Sequence, residues 1–468
     1  MAKIIALPLW LVLAGGALTA WALFDRVLVP GFRWLILRRE EIFISKINKR
    51  LNLRLPAFKL TRRRVLIERL LSDPSVLKAI DEFCQEKKVP LEAARKKAES
   101  YAREIVPSFH AYLYFRLGNF LGKSLARILY RVRIGYSDEE NLAKVNPQSS
   151  VVFLMNHRSN MDYVLLGYLT LSRAAISFAV GEWARVWPIR PLVKATGAYF
   201  VRRGSGDTLY RRVLANYVQM AAEGGLAQAI FLEGSLSRDG KLHDPKIGLL
   251  DYLLRNFDPE GVRDLVFIPA GINYDRVLED RTLLLERAPT EKKSGKKAAL
   301  TTLGFVFHNL WLMMRGGWYR FGYAAVNFGT PISMRTYSKT NKVDYRKQDK
   351  ASRTTGVTLL AGELLTEVGK VIPVLPVSLV SFVLTKYPDR IFSDSDIKAQ
   401  VHDLVRELEK NGAHIYIPRR DLNYFIKVGL RMLTLRRLAF EEGNTYRAAP
   451  EEIRMLQYYA NTISHLLP

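Results

Sequence analysis

The chain has 468 residues, 49% of them apolar, enough for two or three domains with sizeable cores, which excludes wholesale disorder. Its 71 Lys+Arg against 45 Asp+Glu leave a formal charge of +26, a surplus that points to nucleic acid, an anionic membrane surface or phosphorylated substrates. The single cysteine, Cys84, excludes an internal disulfide and fits a reducing compartment, and no Cys/His cluster, GxGxxG fingerprint or Walker-type phosphate loop is present.

Ile4 to Phe24 carries no charge over about 21 positions, or about 31 Å as a helix, enough to span a bilayer. As a signal peptide it has Lys3 in front and Ala20-Trp21-Ala22 as a cleavage site. As an anchor it has the length, with Trp10 and Trp21 near its ends. Thirteen Lys/Arg against four Asp/Glu between Asp25 and Arg69 hold the following chain on the cytoplasmic side, so the anchor is the expectation for residues 1–25. A core helix is the third reading, and so uniformly apolar an opening argues against it. The stretch Phe32-Arg33-Trp34-Leu35-Ile36-Leu37-Arg38-Arg39 suits a helix in the headgroup region as well as a linker with a basic face.

Helices are predicted over Arg62–Leu71, Ser75–Gln85, Leu91–Ile105 and Phe109–Val132, with Pro90 placed where a helix begins. Residues 26–140 thus read as a basic, helical N-terminal domain. From about 141 to 335 the pattern changes. Short apolar runs at Val151–Met155, Ala175–Val180, Ala198–Val201, Ala227–Leu232, Leu265–Ala270 and Tyr323–Phe328 alternate with helical stretches at Met161–Leu171, Asp207–Glu223 and Ile247–Asn256. This alternation predicts an α/β domain. A basic excursion at Glu291–Lys297 reads as a solvated loop, and the aromatic Leu303–Trp318 as a membrane-contacting or core-packed segment. Residues 336–468 return to helical patterns around Leu359–Val368, Ile397–Lys410, Asp421–Arg437 and Glu451–Leu467, punctuated by Pro373, Pro376 and Pro388.

Four stretches carry chemistry. The first strand of the α/β region breaks at Asn156 into His157-Arg158-Ser159-Asn160 and then Met161-Asp162. Residues five apart diverge on a continuous helix, so the two side chains meet only with His157 in the turn and Asp162 in the first helical turn. The carboxylate would then hold one imidazole nitrogen and leave the other for substrate. Taken alone, Asp162 is equally a first-turn acid favoured by the helix dipole.

The second stretch ends a strand in Arg202 and Arg203; adjacent strand residues face opposite sides, so one of the two enters a pocket. A guanidinium there grips a phosphate through two hydrogen bonds, although arginines at a strand end are also commonly just solvated. In the third, a buried strand runs into Glu233-Gly234-Ser235, with Arg238 and Lys241 nearby. Glu233 at a buried strand end needs a partner, expected to be an arginine, and the small-residue turn lets backbone N–H groups face a ligand. The bland alternative is a loop closing a sheet edge. In the fourth, Phe267 to Tyr274, Pro269 demotes the strand to an edge or a bulge, suiting a groove wall.

Together and in this order, the four stretches resemble the motif set of the glycerolipid acyltransferases, most closely the PlsB-type membrane glycerol-3-phosphate acyltransferases. The resemblance extends through Tyr163-Val164-Leu165-Leu166, Leu209-Tyr210, Asp244-Pro245-Lys246 and the closing Leu456-Gln457-Tyr458-Tyr459-Ala460-Asn461 to His465-Leu466. Two positions depart from it: Leu236 stands where the family has an arginine and Asn160 where a second histidine is common. The resemblance implies a central mixed sheet flanked by helices, with helical N- and C-terminal regions. It further implies acyl transfer from acyl-CoA or acyl carrier protein to the 1-hydroxyl of glycerol 3-phosphate at a cytoplasmic membrane face, without metal or cofactor.

In that scheme His157 is the base and Asp162 its orienting acid. Gly234 and Ser235 supply oxyanion donors, Arg202 or Arg203 with Arg238 and Lys241 bind phosphate, and Glu233 and Pro269 shape the site. Leu236 leaves dihydroxyacetone phosphate or a lysophospholipid open as acceptor. A membrane scaffold holding anionic lipid is the non-enzymatic alternative. Nucleic acid is disfavoured because the positive charge is densest beside the apolar segment, with no recognition motif.

Overall fold

The computed structural model describes residues 56–170, 174–181, 189–202, 204, 206–285 and 320–467. The expected anchor, the Phe32–Arg39 stretch, Arg203, the 291–297 loop and the 303–318 segment lie outside the described residues. Among those described, no helix is long and apolar enough to cross a membrane.

Helices α1 (Arg63–Leu71), α2 (Pro74–Lys87), α3 (Leu91–Ile105) and α4 (Asn119–Leu129) open the described chain. The proline at the start of α2 needs no hydrogen bond there, and Asp73 caps the helix by accepting from the Ser75 N–H at 2.8 Å. The predicted helix over 109–132 is divided. A π-helical turn at Leu113–Gly118 precedes α4, and from Arg131 the chain is already strand β1 (Arg131–Ser137). Most of β1 is exposed, so no apolar alternation betrays it.

The sheet then takes β2 (Ser150–Met155), β3 (Ser177–Val180), β4 (Tyr199–Phe200), β5 (Gln228–Phe231), β6 (Leu265–Tyr274), β7 (Tyr323–Phe328) and β8 (Ile332–Ser333). Spatial order is β1-β7-β6-β2-β5-β3-β4, with β8 also on β6. Pairing is parallel except where β6 meets β7 and β8, which makes the sheet mixed.

Every residue of β2, β5, β6 and β7 is buried because helices cover both faces. Alternate residues of β2 sort by face. Val151, Phe153 and Met155 join a core with α5 (Met161–Thr170) and the C-terminal helices. Val152 and Leu154 join another with α1–α3, α6 (Thr208–Glu223) and α7 (Lys350–Lys370). Asp207 caps α6 and Asp349 caps α7. The C-terminal helices are α8 (Pro376–Lys386), α9 (Asp394–Lys410), α10 (Leu422–Leu435) and α11 (Ile453–Asn461). The prolines expected only to punctuate this region include Pro376, which instead starts α8. A small sheet of β9 (Phe392–Ser393), β10 (Ala439–Glu442) and β11 (Thr445–Ala448) completes it.

Strand β6 is interior rather than the edge that Pro269 suggested. The proline pairs with Leu154 of β2, and on its other side it falls at a seam. Pairing with β8 covers Val266 and Phe267, and pairing with β7 starts at Ala270. Its missing N–H therefore removes no bond from either antiparallel ladder.

Candidate active site

Strand β2 stops because Asn156 imitates one more ladder residue with its side chain. Its amide donates to the Ile272 carbonyl at 2.9 Å and accepts from the Ile272 N–H at 2.8 Å, both across to β6. The backbone is thereby released to turn. His157 Nδ1 lies 2.9 Å from Asp162 Oδ2, and that oxygen also accepts from the N–H groups of Arg158 at 2.8 Å and Ser159 at 3.1 Å. The other oxygen, Oδ1, accepts from the Tyr274 hydroxyl at 2.6 Å, at the end of β6. Four donors converge on one fully buried carboxylate and satisfy the acceptor capacity that burial would otherwise leave unmet. Burial and the neighbouring Asp162 charge push the Tyr274 phenol well above its ordinary range, so it stays a donor.

The His157 ring stacks on Phe231 at a 3.7 Å centroid separation and meets Tyr163 edge-on. With Nδ1 given to Asp162, Nε2 is the nitrogen left for chemistry. Tyr163, which meets the imidazole, also lines an apolar cavity of about 420 Å³ together with Leu121, Leu125, Val164, Phe178 and Leu192, among others. Asn160 also reaches this wall. The lining comes from α4, α5, β3 and the helix Ile189–Ala195.

Glu233 is buried where β5 ends, yet its hydrogen-bond partners among the described residues include no arginine. One carboxylate oxygen accepts from the His157 N–H at 2.9 Å and the other from the His243 N–H at 3.1 Å. It ties the histidine turn to the following loop, the expected ion pair being replaced by two backbone donors that cost no buried charge. Gly234 takes a positive φ of 68°, and its N–H donates to Phe231 O at 3.0 Å, which removes it from the expected oxyanion donors. Ser235, Arg238 and Lys241 are exposed along the loop, while Leu236 packs against the sheet core.

Arg202 is not at the histidine. Its guanidinium forms a two-bond pair with Glu104 of α3 at 2.9 and 2.6 Å, flanked by the Tyr101 and Tyr210 rings. The carboxylate raises its pKa further, and the phosphate contact expected of it is already filled by Glu104. Pro269, buried in the interior strand, walls no groove.

Three residues that sequence reasoning passed over complete the site. Asn156 ends the strand, and Tyr274 closes on Asp162. Arg158 is fully buried and donates to the carbonyls of Gly240 at 2.6 Å and Lys241 at 3.1 Å. All three lie inside the quoted stretches, but their partners are 82 or more positions away, beyond any local pattern.

Comparison with known proteins supplies two family models. One described as acyltransferase matches residues 133–273, and one described as the glycerol-3-phosphate acyltransferase C-terminal region matches 309–467. Among curated proteins, the chain is 28% identical over 424 residues to a glycerol-3-phosphate acyltransferase of Pseudomonas syringae pv. tomato, covering 87% of this chain and 49% of that protein. It is 26% identical over 425 residues to one of Xanthomonas axonopodis pv. citri, covering 87% and 46%. The chain spans about half the length of the curated relatives it matches. Among solved structures, the 1-acyl-sn-glycerophosphate acyltransferase of Thermotoga maritima aligns over 53% of this chain and 79% of its own. The TM-score is 0.30 and the identity 16%, a likeness that decides nothing about function.

Proposed function

We propose that the chain, which matches the acyltransferase model over residues 133–273 and the glycerol-3-phosphate acyltransferase C-terminal region over 309–467, moves a fatty acyl group from the thioester of acyl-CoA or acyl carrier protein to the 1-hydroxyl of glycerol 3-phosphate. The observation that carries this reading is the His157–Asp162 pair at 2.9 Å, set beside an apolar cavity of about 420 Å³. Asp162 holds Nδ1–H, so Nε2 accepts the hydroxyl proton as that oxygen attacks the thioester carbonyl. The C–S bond then breaks and the proton passes to the departing thiol. General-base help of this kind is worth about 10²–10⁴-fold. The oxyanion donor falls to the Ser235 N–H, since that of Gly234 is committed to Phe231.

Arg238 and Lys241, exposed on the loop tied to His157 by Glu233, are assigned to the acceptor phosphate. Arg203 is assigned with them, since Arg202 is held by Glu104. The acyl chain enters the apolar cavity, whose size suits a small-molecule site. The uncharged segment at Ile4–Phe24 and the +26 charge support a location, in this reading, at the cytoplasmic face of an anionic membrane where the product dissolves.

A second acceptor reading, dihydroxyacetone phosphate or a lysophospholipid, draws on Leu236, which packs into the core and offers no charge to a phosphate. The test is transfer to each acceptor by detergent-solubilised protein, wild type beside His157→Ala. Transfer to glycerol 3-phosphate abolished in a folded variant supports the proposal. Transfer that survives without His157 removes the mechanism, and activity only with another acceptor moves the assignment there.

A further inference from the structure

The two family matches stop at 273 and resume at 309, and between them lie two adjacent carboxylates that face different partners. Glu279 holds the catalytic turn. Its Oε2 accepts from the Ser159 hydroxyl at 2.7 Å, and its Oε1 from the Asn160 N–H at 3.2 Å and side-chain amide at 3.1 Å. Ser159 in turn accepts from the Met161 N–H at 3.1 Å and gives its own N–H to Asp162. Glu279 is thus two hydrogen bonds from the carboxylate that orients His157. Asp280 faces the other way. Its Oδ2 takes the Arg436 guanidinium, just past α10, at 2.6 Å and the Tyr459 hydroxyl of α11 at 2.5 Å. Arg436 and Tyr459 also bond each other at 2.9 Å, and Tyr459 accepts from the Val277 N–H at 3.1 Å.

We propose that Glu279 is a positioning residue for His157, and that the Glu279–Asp280 step couples the C-terminal helices to the reaction centre. This deepens the reading of His157 as the base and rests on it. The chain's backbone gives the step its stiffness. Neighbouring carboxylates cannot move independently, so a shift of α11 carries Asp280, then Glu279, then the turn between β2 and α5. Burial raises the Glu279 carboxyl while the Ser159 and Asn160 donors oppose that rise, so the link works only with its partners in place. It also accounts for the C-terminal helices, whose described side chains make no hydrogen bond to His157 or Asp162 and are nonetheless packed against the support of that pair.

The test compares wild type, Glu279→Ala, Glu279→Gln and Arg436→Met, with His157→Ala in the same acyl-transfer assay and thermal unfolding as the check on folding. Misplacement of reacting groups by about 1 Å costs about 10²-fold. Glu279→Ala is therefore expected to lower kcat about 10²-fold with both KM values within about threefold. Glu279→Gln, which keeps the shape and one acceptor, recovers most of that loss. Arg436→Met lowers kcat in the same sense from a position that touches no residue of the catalytic turn. The low-field proton resonance on His157 Nδ1, absent in His157→Ala, weakens alongside kcat.

Unchanged kcat in Glu279→Ala, or a rise in KM of equal size, overturns the positioning role. Wild-type kcat in Arg436→Met overturns the coupling. If Glu279→Ala does not fold, Arg436→Met and the resonance decide. If the wild type shows no His157-dependent transfer, the functional reading fails, whereas the Nδ1 resonance still reports whether Glu279 positions the imidazole.

Discussion

Asp162 does three tasks with one carboxylate, fixing the His157 tautomer, pinning the turn through two N–H groups and binding the Tyr274 hydroxyl. Asp162→Asn keeps the shape but loses the charge that steadies an imidazolium, and its amide cannot accept from all four donors. A fall in kcat of about 10²–10⁴-fold with little change in KM is expected from steady-state kinetics. At the paired arginines the expectation separates two residues that look alike in the sequence. Arg202→Met breaks the bond to Glu104 and lowers the melting temperature, with the acceptor KM within about threefold. Arg203→Met raises the acceptor KM at least tenfold and leaves that of the acyl donor. The reverse pattern would return Arg202 to the phosphate. The His-x4-Asp spacing made the first pair visible because both residues sit within one turn of chain. The partner of Arg202 could not be read, because Glu104 is 98 positions away on another element.

Between elements, the contact that matters most is the loop after β5 against α11. Gly240 has a φ of 81°, and a Cβ there would run into the Tyr458 carbonyl. Asn461 donates to the Asp239 carbonyl at 2.8 Å beside it. Gly240→Ala is therefore expected to push α11 off the loop, lowering the melting temperature and, through the Arg158 bonds to Gly240 and Lys241, the rate; calorimetry and kinetics measure both.

The N-terminal segment is joined to the sheet region by a buried amine. Lys59 donates to Ala175 O at 2.7 Å under the Phe109 and Tyr114 rings, and burial brings its pKa down to about 7. Between that value and about 10 the unfolded lysine holds a proton that the folded one has released, so stability rises with pH across this window. Thermal unfolding from pH 7 to 9 should show the rise, and Lys59→Met should flatten it. Unaltered pH dependence in that variant would assign the slope elsewhere.

For the molecule as a whole, the +26 charge predicts that activity is higher in mixed micelles with anionic lipid than in neutral ones, and that the difference shrinks as salt rises. A difference indifferent to ionic strength would trace it to something other than surface charge. Composition, the uncharged opening segment and the order of the four motif stretches were all legible in the chain, as were most strands and helices of the α/β region. Each of these depends on residues close together, where apolar periodicity and turn chemistry act directly. The interior place of β6, the exposed strand β1, the two backbone donors to Glu233 and the partners of Glu279 and Asp280 were settled by tertiary structure alone. Their partners are brought together by sheet order and by the docking of the C-terminal helices, and a hydrogen bond between distant residues leaves no spacing to read.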